Sequence, residues 1–288
     1  MLGGMERKAR QLLECPVGCA FLVGVERAGI EVVEAVVAPV AFALAAQARR
    51  ALDPWHPEHE QAEAQALERG RDLVGLAGEL VAHPGSGWWA EVFDAASQVW
   101  LGEGTFPSAA ADEASPNAGW ETYAERPVGW RVTSTVRGEW SSLEVAIALW
   151  GGDWTREAVR RTSARVAAAA RVFEVNGPDD WHALCTAHPA VNEHASSPAG
   201  AGALVPNWTS AASEWDGVHL TLLGALTAPF VRTSSAAGTS MLWSWGAEQT
   251  MWLRDELLVA SGEPEAFAFD AGVLVADSVL ASGYRLLG

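Results

Sequence analysis

Apolar residues Ile30, Val33, Val36, Val37, Val40 and Leu44 recur at helical spacing, which predicts a buried helix over 26–52 that Pro39 kinks or splits. A turn beginning at Asp53-Pro54 stops it. Two amphipathic helices are predicted at 58–69 and 71–81, parted by Gly70. The pattern changes at Gln98-Val99-Trp100-Leu101, a strand ended by Gly102 and Gly104. Residues 106–119 are rich in Ala, Ser, Pro and acids and read as a linker. Beyond them, β-branched and aromatic runs predict strands at 130–136, 172–175, 218–223 and 250–253. Helices are predicted at 179–188, with Asp179 as N-cap and Pro189 as stop, and at 207–215. Residues 160–171 lean to helix through the alanine run 167–170, and 262–288 read as an edge helix or strand. The expectation is an α+β chain: a mainly helical part at 1–105, the linker, and an α+β part at 120–288 whose small mixed or antiparallel sheet, with short helices, carries any site.

Composition narrows the chemistry. A chain of 288 residues that is 49% hydrophobic can bury a large core. Its net charge of -17 argues against general binding to nucleic acid or to an anionic membrane, both of which need a cationic surface. Lys8 is the sole lysine among 19 basic residues, so Schiff-base and phosphate-loop lysine chemistry would have to start there and is set aside. The three cysteines, Cys15, Cys19 and Cys185, make no even disulfide framework and suit a reducing cytoplasm. The most apolar stretch, 35–46, is too short to span a bilayer, and Glu14, Cys15 and Pro16 interrupt any secretory signal.

Candidate ligand sets are few. Cys15 and Cys19 lack a second pair at zinc spacing, and Pro57 breaks the helix that His56 and His59 would need to share. His182, Cys185 and His188 fall at i, i+3 and i+6, a strained set for one helical face, so no metal is expected. Most of the 15 tryptophans read as core, with a minority free to line a pocket. The window 126–171 holds eight arginines against four acids. It reads either as a solvated face paired to acids elsewhere or as a site for a small anionic ligand such as a diphosphate.

Three stretches, 15–23, 123–135, and 215–221 taken with 248–253, together resemble an actinobacterial family of uncharacterised proteins, which brings no activity with it. More distantly, the second part resembles the ADP-ribosyltransferase superfamily. The likeness rests on Arg126-Pro127-Val128-Gly129-Trp130-Arg131-Val132-Thr133-Ser134-Thr135 as a strand ending in a Ser/Thr triplet, on Trp215-Asp216-Gly217-Val218 before a strand, and on Glu248 opening a last strand. The resemblance implies an enzyme that uses NAD as substrate and transfers ADP-ribose to an unknown protein or small-molecule acceptor. Glu248 would stabilise the oxocarbenium-like ribose, with Asp216 as a second acid candidate. Thr133, Ser134 or Thr135 would orient Glu248, Trp130 or Tyr123 would stack on nicotinamide, and Arg131 or Arg137 would meet the diphosphate. The early strand Val99-Trp100-Leu101-Gly102 lacks the Arg or His with which the superfamily grips the dinucleotide. The competing expectation is a non-catalytic, Trp-rich binding or assembly protein.

Overall fold

The structure, a computed structural model, describes residues 2–53, 57–103, 131–150, 159–193, 197–243, 245 and 247–266. Helices α1 (Leu2–Glu14) and α2 (Pro16–Ala28) open the chain. Every residue of α2 from Pro16 to Val25 is buried, as an all-round apolar helix requires. Pro16 sits in its first turn, where the missing N–H leaves no bond unmade, and Gly29, at φ 62°, supplies the left-handed residue that closes it. The helix expected over 26–52 is instead the end of α2, a single turn α3 (Val32–Ala35), and α4 (Ala38–Ala51). Pro39 starts α4 rather than kinking a longer helix, because proline's fixed φ suits a first turn. Helices α5 (His59–Gly70) and α6 (Val74–Ala82) stand where two were expected, but Gly70 is the last residue of α5 rather than a break, and a 3-10 turn, Arg71–Leu73, separates them. A 3-10 segment, Pro84–Ala90, then leads toward the sheet.

The second half alternates strands with short helices: β1 (Gln98–Glu103), β2 (Arg131–Arg137), β3 (Trp140–Ser141), α7 (Ser142–Trp150), β4 (Val159–Val166), β5 (Val172–Val175) and α8 (Pro178–Ala187). It continues with β6 (Pro189–Val191), β7 (Leu204–Pro206), α9 (Trp208–Glu214), β8 (Gly217–Leu220) and α10 (Leu222–Thr227). The remaining strands are β9 (Thr233–Ser235), β10 (Gly238–Ser240), β11 (Gln249–Trp252), β12 (Leu258–Ala260) and β13 (Glu265–Ala266). The larger sheet runs β12-β4-β1-β2-β11-β8-β5, with β13 beside β4 and β3 beside β2. All its pairings are antiparallel except β5 with β8. A small second sheet runs β6-β7-β10-β9. The fold is α+β, with mixed sheets.

Three local expectations change. Residues 159–166 form β4, not a helix: Thr162 and Ala164 are buried while Ser163 and Arg165 are exposed, a period of two. Pairing with β1 on one side and β12 on the other overrides alanine's helix propensity, and the alanine run falls in the turn beyond the strand. The strand expected at 218–223 ends at Leu220, because the Thr221 hydroxyl accepts from Gly224 N–H and caps α10. The N-cap of α8 is Gly177, not Asp179, since Pro178 occupies the first turn; the Asp180 carboxylate instead accepts from Asn176 N–H. The expected linker at 106–119 lies outside the described residues.

One hydrophobic cluster joins Leu12, Phe42 and Leu80 of the helical half to Leu222, Leu226 and Trp243 of the second. Among the described residues no helix is long and apolar enough to cross a membrane.

Candidate active site

The register of the central strands assembles the site. β11 lies antiparallel to β2 with Thr250 opposite Thr133, so Glu248, two residues earlier, falls beside Thr135. There the Ser134 hydroxyl donates to Glu248 Oε2 at 2.6 Å, and Thr135 N–H donates to Oε1 at 3.2 Å. Glu248 is itself fixed at the backbone, its N–H donating to Ser142 Oγ at 3.1 Å. On its other side β11 pairs with β8, which sets His219 opposite Thr250. His219 Nε2 then lies 3.0 Å from Glu248 Oε1.

The chain of polar groups continues into β5. Glu174 is the parallel-strand partner of His219, and its Oε2 lies 2.6 Å from His219 Nδ1. Its second oxygen accepts from Phe93 N–H at 2.8 Å. The sequence of contacts is Phe93 N–H, Glu174, His219, Glu248, Ser134. His219, Glu248 and Ser134 are all buried, so the full strength of these bonds is felt in a low-dielectric setting. Burial by itself lowers the basicity of His219, but its hydrogen bonds to Glu174 and Glu248 outweigh that and push its pKa up to about 9. A carboxylate on each ring nitrogen suits an imidazolium, which donates at both ends.

The arrangement is not a serine-nucleophile triad, because Ser134 touches the carboxylate and not the imidazole. It is a carboxylate held from two sides at the wall of a small cleft. Thr135, His219 and Glu248 line that cleft together with Phe42, Leu222 and Thr221. Across its mouth, Arg137 Nη1 pairs with Glu91 Oε2 at 2.7 Å, and the guanidinium lies 5.7 Å from the ring centre of Trp88. The void enclosed is about 10 Å³, room for a single water.

Of the residues expected at the site, Glu248, Ser134 and Thr135 converge, and Arg137 stands at the rim, held by Glu91. Thr133 does not reach Glu248. It stands opposite Thr250, two residues along β11 from Glu248, and its hydroxyl donates to Gln98 Oε1 at 2.6 Å and accepts from Trp252 Nε1 at 2.9 Å. Trp130 and Tyr123 lie outside the described residues, as does the Arg131 side chain, although the Arg131 backbone pairs with Trp252. Asp216 has a different job. Its Oδ2 accepts from Arg171 N–H at 2.7 Å and its Oδ1 lies 3.3 Å from Arg254, so it locks the turn before β8.

The other candidate sets disperse. His182 Nδ1 bonds Ser240 and His188 Nδ1 bonds Ser210, while Cys185 packs with Leu184 and Trp208 in an apolar cluster. Cys15 and Cys19 donate to the carbonyls of Pro229 and Leu13. Among the described residues no three His, Cys, Asp or Glu side chains gather as metal ligands. Trp181, Trp208 and Trp245 share one buried cluster rather than a surface.

Comparison with protein families, curated proteins and solved structures returns no match.

Proposed function

We propose that the chain is an NAD-consuming glycosyl-transfer enzyme of ADP-ribosyltransferase type, with Glu248 as its central carboxylate. The observation that carries this reading is the 2.6 Å hydrogen bond from the Ser134 hydroxyl to Glu248. It joins the middle residue of the Ser/Thr triplet to the strand-initial acid at the wall of a cleft. In the reaction, the bond between ribose C1′ and the nicotinamide nitrogen breaks and its electron pair leaves with nicotinamide. Positive charge develops on the ribose, and a carboxylate beside it stabilises that charge. An acceptor nucleophile then bonds to C1′ and gives up its proton. Arg137, freed from Glu91, would meet the diphosphate, and Trp88 would offer the ring face for stacking. NAD would act as a substrate and the acceptor as a separate nucleophile, within the cytoplasm.

The competing reading, a non-catalytic binding or assembly protein, draws on the small void and on how fully Glu248 is engaged. Nicotinamide release separates the two. Incubation with NAD is expected to liberate nicotinamide, and Glu248→Gln, which keeps shape and loses charge, is expected to slow release about 10²-fold or more. A wild-type chain that releases none supports the structural reading.

A further inference from the structure

His219 and Glu174 are not part of the Ser/Thr-and-acid likeness on which the proposed reaction rests, yet His219 makes one of the three hydrogen bonds to the Glu248 carboxylate and Glu174 holds His219. Each carboxylate oxygen has two lone-pair directions. Oε1 receives both His219 Nε2–H and Thr135 N–H, and Oε2 receives the Ser134 hydroxyl. Acceptor capacity toward a substrate hydroxyl is therefore left on Oε2.

We infer that Glu174 and His219 form a positioning pair for Glu248, one that fills Oε1, fixes the plane of the carboxylate and reserves Oε2 for a ribose hydroxyl of the dinucleotide. This inference rests on the reading of the site as a glycosyl-transfer centre. The geometry has the parts such a device needs. Glu174 is anchored from outside by Phe93 N–H at 2.8 Å and stands opposite His219 across a parallel strand pair. The imidazole is clamped between two carboxylates at 2.6 and 3.0 Å, and the ring edge of Phe93 packs near it at a centroid distance of 6.1 Å. Charged groups approach His219 from three directions: Glu174 from β5, Glu248 from the start of β11, and the Arg137–Glu91 pair across the cleft. The two adjacent carboxylates keep the ring protonated, and a protonated ring holds Glu248 through a charge-assisted bond that a neutral ring could supply from only one nitrogen. His219 does not meet the reacting atoms in this scheme. It acts through Glu248.

Two measurements on the full chain test it. The first is an NMR titration of the histidine rings in the ¹⁵N-labelled protein, with His219 assigned by its loss in His219→Gln. The wild-type ring is expected to remain an imidazolium at pH 7 and to titrate near pH 9. In Glu174→Gln its proton affinity is expected to drop at least about tenfold, one pH unit. The second is nicotinamide release by Glu174→Gln, shown to be folded by circular dichroism. Its kcat is expected to fall about tenfold with KM within about twofold, and wild-type kcat to fall as pH rises through about 9. A His219 ring that is neutral at pH 7, or a folded Glu174→Gln chain with unchanged kcat, overturns the positioning role. A wild-type chain that releases no nicotinamide overturns the reaction instead, and the titration then still decides whether Glu174 holds His219 charged.

Discussion

The His219 side chain ties site chemistry to stability. Its pKa rises from the ordinary 6.5 to about 9 on folding, through Glu174 and Glu248, against the opposing effect of burial. The folded state therefore binds a proton more tightly than the unfolded chain. The stability this supplies is fully present below about pH 6.5 and is lost as pH rises through about 9. Between pH 7 and 9, denaturant titrations should show wild-type stability falling at up to about 1.4 kcal/mol per pH unit from this group, with a flatter profile in His219→Gln. Parallel profiles for the two chains would remove His219 as the source. At this scale the sequence is half legible. Ser134 and Glu248 stand out because a Ser/Thr triplet on a strand and an acid opening another have a chemical reason to meet. Glu174 and His219 look like ordinary strand residues inside Val172–Val175 and Val218-His219-Leu220. What joins them is the register of β5 on β8 and of β8 on β11, which no local pattern encodes.

Among the elements, α10 sets how closely the cleft wall approaches the sheet. A Cβ at Gly224 would come within 2.1 Å of the Val175 carbonyl oxygen, so only glycine lets the helix approach β5 this closely. The Thr221 cap of the same helix also bonds Asn176, two residues beyond Glu174. Gly224→Ala is expected to lower stability by about 1–3 kcal/mol, measured by denaturant unfolding. It should also reduce nicotinamide release by shifting Thr221 and Leu222 at the cleft. A variant as stable and active as wild type would contradict this packing. Element identity is legible where one influence dominates, as in α9, whose first turn the Asn207 side chain caps. It fails in β4, where two neighbouring strands outweigh local propensity, and in the start of α10, where a single threonine hydroxyl ends a strand run.

Across the whole molecule, the helical half and the sheet half share one apolar cluster, and β1, from the expected helical part, is paired on both sides within the larger sheet. Leu12, fully buried where α1 meets α2, tests that continuity. Leu12→Ala is expected to cost about 2–5 kcal/mol and to lower a single unfolding transition seen alike by far-ultraviolet circular dichroism and tryptophan fluorescence. Two separated transitions, with one unmoved, would show that the halves unfold independently. Charge at this scale is uneven in the way the arginine-rich window suggests. Arg161 pairs with Glu144, Arg137 with Glu91, and Arg171 with Asp216, so these arginines are matched to acids in a chain of net charge -17. Of these three arginine pairs, Arg137–Glu91 stands at the cleft, and under the proposed reaction it is the group that would part to admit a dinucleotide.

The proposed reaction depends most on Glu248 being a working carboxylate. Its direct test is nicotinamide release from NAD by wild type, Ser134→Ala and Glu248→Gln, measured side by side on chains shown to be folded. The predicted order is wild type fastest, Ser134→Ala intermediate because the carboxylate loses one of its three donors, and Glu248→Gln slowest by about 10²-fold or more. No release by wild type, or equal release by all three, would contradict it.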